Sequence, residues 1–283
     1  MVHDEDHLRT NADRLRPVRG VVLDVDGTLL DPAHRITSAT RAAVARARDA
    51  GWHVLLASGR SPQGMTGYLG ELGLDGPAIA CNGALTFRLR DGAIRPLATC
   101  PLDREVAAAT YALALEHGVE TGWFTVDGWR VRALGPGAEE EAGLTGEPPL
   151  VSPRLPDDGV EAPLKLMCIA VTRAQTAALA ALRDRLPAGA RGLFSHPRYL
   201  EISAPGADKA RAVAAACSAL GLRAEDLAAI GDAENDLGML RQAGVAIAMG
   251  NAAPAVLEAA AHRTAGNDRD GVAHAIDALL AAR

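Results

Sequence analysis

Two stretches of this chain, far apart in sequence, share one rhythm: a short apolar run with β-branched residues, a polar break, then a helical period. In the first, Val21-Val22-Leu23 reads as a buried strand ending at Asp24. Thr37 is placed to cap a helix through about Ala50, closed by Gly51. His53 to Ala57 is a second strand, broken by Ser58-Gly59-Arg60. A helix over 62–72 ends at Gly73, and Ala78 to Cys81 forms a third strand, stopped by Asn82-Gly83. The second stretch repeats the pattern. It has strands at Tyr199 to Ile202, Leu227 to Ile230 and Val245 to Ala248, and helices over 208–220, 235–242, 253–260 and 271–281. Strands alternating with helices require a parallel sheet with crossover connections, which is the α/β class.

Between these stretches the rhythm changes. Leu85 to Leu89 and Ala93 to Leu97 flank Arg90-Asp91-Gly92, a hairpin signal. A helix over 103–117 follows, then a second hairpin whose strands, 120–126 and 129–133, flank Asp127-Gly128. Residues 135–163, rich in Gly, Pro and acidic side chains, read as irregular; 164–171 is a strand, 173–186 a helix and 192–196 a strand. The expected organisation is a discontinuous α/β core, residues 1–84 and 197–283, interrupted by an α+β module over 85–196. Residues 1–18 are expected to be a polar, loosely ordered lead-in. A length of 283 residues suits about two domains.

Composition removes several function classes. A net charge of -6 and the lack of any basic stripe with interleaved aromatics argue against a nucleic-acid partner. With 48% hydrophobic but only 3% aromatic residues, the interior must be built from Ala, Val, Leu and Ile. Cys81, Cys100, Cys168 and Cys217 are scattered, with no C-x-x-C pair, and the eight histidines form no zinc-ligand set with them. They read as reduced thiols packed as small apolar groups. The charged N-terminus has no apolar signal-peptide region, and no apolar run approaches the ~18 residues of a membrane span. The expectation is a soluble, cytoplasmic protein with no membrane partner.

Chemistry gathers after the strands. VVLDVDGTLL places two carboxylates, Asp24 and Asp26, beyond the end of a buried strand, where parallel α/β sheets bind ligands. An EF-hand loop would need Gly at its sixth position, whereas here Gly27 is fourth and a strand precedes it. A turn with capping aspartates is the plainer alternative. Ser58 follows another apolar strand in LLASGR, which taken singly is ordinary turn chemistry. IGDAENDLGML supplies Asp232 and Asp236, suited to a hard cation or to helix capping. Lys209 alone would be a solvated surface charge. Together, the α/β topology brings the three strand-end groups to one sheet edge. There, clustered carboxylates require a cation or protons, and with a serine and a lysine they form a phosphoryl-transfer set.

These segments, with CNGA, LEISAPGADK, AGVAIAMGNA and DGVAHAI, resemble the haloacid-dehalogenase superfamily of phosphohydrolases, in particular its Cof-type branch. The resemblance runs from about residue 19 across nearly the whole chain. It implies a Rossmann-like doubly wound parallel-sheet core with an inserted α+β cap domain. It further implies a Mg²⁺-dependent hydrolase that removes phosphate from a small phosphorylated metabolite, a sugar phosphate or similar, as a monomer or small homo-oligomer. Asp24 would be the nucleophile that becomes an aspartyl-phosphate, and Asp26 the acid and base. Ser58 and Lys209 would hold phosphoryl oxygens, and Gly59, Arg60, Asn82 and Asn235 would join the phosphate contacts. Mg²⁺ would be held by Asp24, Asp232 and the Asp26 carbonyl, with Asp236 close by. Asp26 must be protonated when the leaving group departs, so burial or a neighbouring carboxylate is expected around it.

Where the family often has a hydroxyl residue before the lysine, this chain has Asp208, expected either to pair with Lys209 or to cap its helix. In the cap, Trp123, Phe124, Trp129, Arg88, Arg130 and Arg132 are candidates to meet a substrate, or else cap packing and solvated charge. The same site would serve a sugar phosphomutase or phosphotransferase, with a sugar hydroxyl in place of water. A non-catalytic sugar-phosphate-binding protein would be expected to lack one of the four aspartates, and all are present.

Overall fold

The structure, a computed structural model, describes residues 17–157 and 159–282. The lead-in expected over residues 1–18 lies, up to residue 16, outside the described residues. The core strands are β1 (Gly20–Leu23), β2 (His53–Leu56) and β3 (Ala78–Ala80), followed by the hairpin β4 (Leu85–Arg90) and β5 (Ala93–Thr99). The cap contributes β6 (Glu120–Thr125), β7 (Gly128–Val131), β8 (Leu150–Val151), β9 (Lys165–Ile169), β10 (Arg191–His196) and β11 (Tyr199–Ser203). The chain then returns to the core with β12 (Leu227–Gly231), β13 (Val245–Ala248) and β14 (His262–Arg263).

Among the described residues the core sheet is wholly parallel, in the order β14-β13-β12-β1-β2. A parallel bridge from Ala57 to Ile79 continues it toward β3. The chain leaves β1 for β2 on one side and returns to β12 on the other, so the order reverses between β1 and β12. That reversal opens a crevice at the strands' C-terminal ends, where doubly wound sheets bind ligands. Every side chain of β1 and of β12 is buried, because helices cover both faces. Burial of residues such as Val21, Val22 and Leu23 is worth about 1.5–3 kcal/mol each. Thr37 caps the helix Ser38–Asp49 by accepting from the Thr40 amide, as the sequence predicts.

The second sheet, β10-β11-β9-β6-β7-β8, is antiparallel apart from the β7–β8 pair. Its two faces separate by period-2 alternation. Leu166, Cys168, Leu200 and Ile202 pack under the helices Arg104–Glu116 and Arg173–Asp184 with Tyr111, Leu179 and Leu182. Met167 and Ile169 point the other way, onto Phe124 and Trp129. Lys165, Tyr199 and Glu201 share that second parity.

Strand pairing differs from the expected 85–196 boundary at both ends. The β4–β5 hairpin pairs with β3, and Leu85 and Phe87 are buried in the core cluster, so this hairpin extends the core side. At the other end, the expected return to the core at residue 197 comes too early: β11 pairs with β9 and β10 in the second sheet. A short alternating strand carries no mark of which sheet it joins; pairing partners decide that. A third difference is the helix Pro136–Thr145, inside a segment whose composition predicts irregular structure. Its N-terminus has Gly135 at the cap position and no local capping side chain. Instead Glu120, from β6, accepts hydrogen bonds from the Gly137 and Ala138 amides, a cap that no reading of neighbouring residues reveals. Pro136 suits the first turn rather than breaking it.

No helix among the described residues is long and apolar enough to cross a membrane. All four cysteines are free. Burial pushes the Cys81 and Cys168 thiols up to about 12, consistent with inert packing groups.

Candidate active site

Asp24 ends β1 and donates its backbone N–H to Ile230 of β12, which fixes it at the crevice between the two strands. Its side chain is buried. The chain then turns through Gly27 at φ +85°, a conformation other residues rarely adopt. A Cβ at Gly27 would lie 2.4 Å from Asp232 Oδ2, so the absent side chain lets the first aspartate loop meet the loop after β12. Thr28 donates its hydroxyl to Asp232 Oδ1 at 2.7 Å and ties the same two loops.

Asp24, Asp232 and Asp236 each place a carboxylate oxygen within 4.8 Å of the others. Asp236 is fully buried, and its Oδ2 accepts from the Asp232 and Ala233 amides at 3.0 Å, so it shapes its own loop. Lys209, also buried, donates to Asp24 Oδ1 at 2.5 Å and to Asp236 Oδ1 at 2.7 Å. Among the described residues, Asp24 Oδ2 and Asp232 Oδ2 carry no hydrogen bond, so each acid keeps an oxygen in reserve. Hard oxygen donors crowded in this way suit a divalent cation such as Mg²⁺, and Asp24, Asp232 and Asp236 fit one on donor type and spacing.

The electrostatics follow from crowding in a dry place. Burial, reinforced by Asp236, holds the Asp24 carboxyl well above the usual range despite Lys209 beside it. Burial likewise pushes Asp232 up to about 6. For Lys209 burial acts downward, but the charges of Asp236 and Asp24 outweigh it and raise the ammonium above its ordinary value. Lys209 is therefore charged. Asp208 resolves as a cap: it accepts from the Ala210 and Arg211 amides, leaving Lys209 to the aspartates.

Ser58 is buried at the end of β2, its Oγ accepting from the Arg60 amide. Asn82 bridges Asn235 and Glu201: Asn235 Nδ2 donates to its Oδ1 at 2.9 Å, and its Nδ2 donates to Glu201 Oε2 at 3.0 Å. Asp26 departs from expectation. Its side chain is 44% exposed, and Arg60 grips it with Nε to Oδ2 at 2.8 Å and Nη2 to Oδ1 at 2.6 Å. The expected burial is absent because Asp26 faces the open cavity, where Arg60 holds its carboxylate. Its carboxylate also stands outside the acidic cluster.

Over these groups lies a cavity of about 600 Å³ between the core strand ends and the cap. Asp24, Asp26, Ser58, Gly59, Arg60, Asn82 and Asn235 line its core side; Glu141, Lys165, Tyr199 and Glu201 line its cap side. Of these, Glu141, Lys165 and Tyr199 carry no signal in the sequence motifs, and Glu201 lies inside one without an evident role. The available clue is a charge within an apolar strand, as in LKLMCI. The cap aromatics prove to be packing groups: Trp123 is buried, and Phe124 stacks on Trp129 at 5.2 Å. Arg130 and Arg132 are spent on Thr125 and the Pro153 carbonyl, and Arg88 does not line the cavity.

A doubly wound core whose switch-point crevice holds strand-end aspartates, a serine and a buried lysine, under a cap, is the architecture of an α/β enzyme with its site at the sheet's switch point. The sequence pattern of the haloacid dehalogenase-like hydrolases matches residues 21–276, and the chain belongs to that family. It is 28% identical over 298 residues to the 5-amino-6-(5-phospho-D-ribitylamino)uracil phosphatase YwtE of Bacillus subtilis, covering 92% of this chain and 97% of that one. It is 28% identical over 273 residues to the pyridoxal phosphate phosphatase YbhA of Escherichia coli, covering 91% and 97%. A haloacid dehalogenase-like hydrolase from Bacteroides thetaiotaomicron superposes with a TM-score of 0.83 at 28% identity, covering 92% and 98%. The chain is a phosphatase of this family.

Proposed function

We propose that the chain is a Mg²⁺-dependent phosphohydrolase that passes the phosphoryl group of a small metabolite through Asp24. The observation that carries this reading is the convergence of Asp24, Asp232 and Asp236 within 4.8 Å, with Lys209 bonded to Asp24 and Asp24 itself lining the cavity. A carboxylate attacks a phosphate dianion only once the negative charges are neutralised. Mg²⁺, held by Asp24 and Asp232 with Asp236 behind, would supply that neutralisation.

Asp24 Oδ would form a bond to phosphorus as the ester P–O bond breaks. Asp26 would give its proton to the departing oxygen after exchanging the Arg60 fork for the substrate. It would then take a proton from the water that attacks phosphorus, which frees Asp24 and releases phosphate. Ser58 and Lys209 would hold the phosphoryl oxygens, with Asn82 and Asn235 beside them and the Gly59-Arg60 backbone closing the loop. General acid assistance of this kind is worth about 10²–10⁴ in rate.

For the leaving group, the cavity offers apolar wall from Leu144, Met167 and Phe194 next to the polar Tyr199 and Glu141. This supports phosphate esters larger than a triose, whether sugar phosphates or ring-bearing compounds like those in the relatives' names. A phosphate-release screen over both groups, with Mg²⁺ and with chelator, tests the reading. Hydrolysis dependent on Mg²⁺ supports it, and turnover undiminished by chelator refutes it.

A further inference from the structure

Lys165 and Glu201 are charged residues placed in buried strands, 4% and 9% exposed. They lie on neighbouring strands β9 and β11, on the cap-sheet face that looks into the cavity. Burying such a pair costs several kcal/mol per ion unless further hydrogen bonds satisfy it. Those bonds do not come from the cap. Lys165 Nζ donates to the Gly59 carbonyl at 2.8 Å and to Glu201 Oε2 at 3.1 Å, and it sits 4.9 Å from the centre of the Phe124 ring. Glu201 Oε2 also accepts from Asn82 Nδ2 at 3.0 Å, and Asn82 in turn accepts from Asn235.

We propose that Lys165 and Glu201 are positioning residues of the cap. With the cap seated, they fix the Gly59 carbonyl and the Asn82 amide and so set the phosphoryl-binding loops. The bond to Gly59 anchors the peptide next to Ser58, whose carbonyl accepts from the Asn82 amide at 2.9 Å. One chain of contacts therefore runs from the cap sheet through the loops after β2 and β3 to Asn235 after β12. Among the described residues, an ion pair at 3.9 Å also crosses between cap and core, from Arg191 to Asp208, and two hydrogen-bonded contacts cross from Ser61 to Glu147 and from Gln63 to the Val126 carbonyl. Both hydrogen-bonded contacts lie on the helix Pro62–Glu71 or at its cap, away from the phosphoryl groups. They hold the cap down; Lys165 and Glu201 reach the site itself. Burial acts against the Lys165 ammonium, yet Glu201 and the neighbouring acids outweigh it, so the lysine is charged.

The identity of the loops that this pair sets rests on the phosphohydrolase reading. The test compares Glu201→Gln, nearly isosteric, with Lys165→Met and Lys165→Arg. Affinity for inorganic phosphate is measured by calorimetry in the presence of Mg²⁺, and kcat and KM are measured on p-nitrophenyl phosphate. Glu201→Gln and Lys165→Met are expected to weaken phosphate binding and lower kcat by about tenfold or more, since small misplacements of site groups are costly. Lys165→Arg, which keeps a donor for Gly59, is expected to recover most of the loss. A folded Glu201→Gln protein within about twofold of wild type in phosphate affinity overturns the proposal. That result, with Lys165→Met impaired, would make Lys165 a direct phosphate contact instead. If Lys165→Met fails to fold, Glu201→Gln alone decides. Calorimetry decides even if wild type releases no phosphate from any ester, an outcome that would count against the phosphohydrolase reading separately.

Discussion

Gly27→Ala is a one-methyl perturbation whose two effects can be separated. The residue sits at φ +85°, where an L side chain costs about 1–2 kcal/mol. The new Cβ would also lie 2.4 Å from Asp232 Oδ2 and 2.8 Å from its Cγ. Ordinary carbon–oxygen contact needs roughly 1 Å more, so Asp232 must retreat by about that distance. Thr28 holds the same carboxylate through its other oxygen, at 2.7 Å, and resists the retreat. Misplacing a site group by about 1 Å costs about 10²-fold in rate. Gly51→Ala is the matched control, because Gly51 has φ +79° and a methyl added there would meet nothing within 4 Å. Both variants are expected to lose about 1–2 kcal/mol in denaturant unfolding. Only Gly27→Ala is expected to lose about 10²-fold in kcat/KM and to need markedly more Mg²⁺ for half-maximal activity. A folded Gly27→Ala protein with an unchanged Mg²⁺ titration would refute the claim that Asp232 meets the first aspartate loop through this contact.

Other substitutions probe the same cluster. Asp24→Asn is expected to fold and to lose turnover entirely; substantial residual hydrolysis reassigns the nucleophile. Lys209→Met leaves Asp24 and Asp236 buried without their cation, at a cost of about 3–5 kcal/mol in unfolding free energy; a loss below about 1 kcal/mol in chemical denaturation would contradict that cost. Burial places Asp232 at about 6 in the folded protein against an ordinary 3.8. A carboxyl raised on folding stabilises below its unfolded value and loses that contribution as pH rises through its folded value. In chelator the protein is therefore expected to be more stable near pH 5 than near pH 7.5, by about 1.4 kcal/mol from this group, since pH 5 lies about one pH unit below its folded value, and Mg²⁺ should narrow the gap. Stability flat or rising over that interval in chelator would sink the point.

Much of the fold and site is legible in the sequence because the informative signals are local. Strand ends mark themselves by an apolar run followed by Asp24, Ser58 or Asp232, and one α/β topology brings such ends together. What is not legible depends on long-range partners. The helix Pro136–Thr145 is capped by Glu120 from another strand, and β11 joins the second sheet by pairing with β9. Lys165 and Glu201 acquire meaning only against Gly59 and Asn82. The chemistry asked of Asp26 predicts burial, but its carboxylate faces the open cavity and is held there by Arg60, a partner 34 residues on.

Catalysis of the kind proposed depends on Asp24 and Asp232 sharing a divalent ion beneath the phosphoryl group. A crystal structure of the protein with Mg²⁺ and beryllofluoride, a phosphoryl mimic, tests this directly. The prediction is Mg²⁺ at about 2.1 Å from oxygens of both Asp24 and Asp232, with the mimic bonded to Asp24 and in contact with Ser58 and Lys209. Mg²⁺ bound elsewhere, or the mimic attached to another residue, would contradict it.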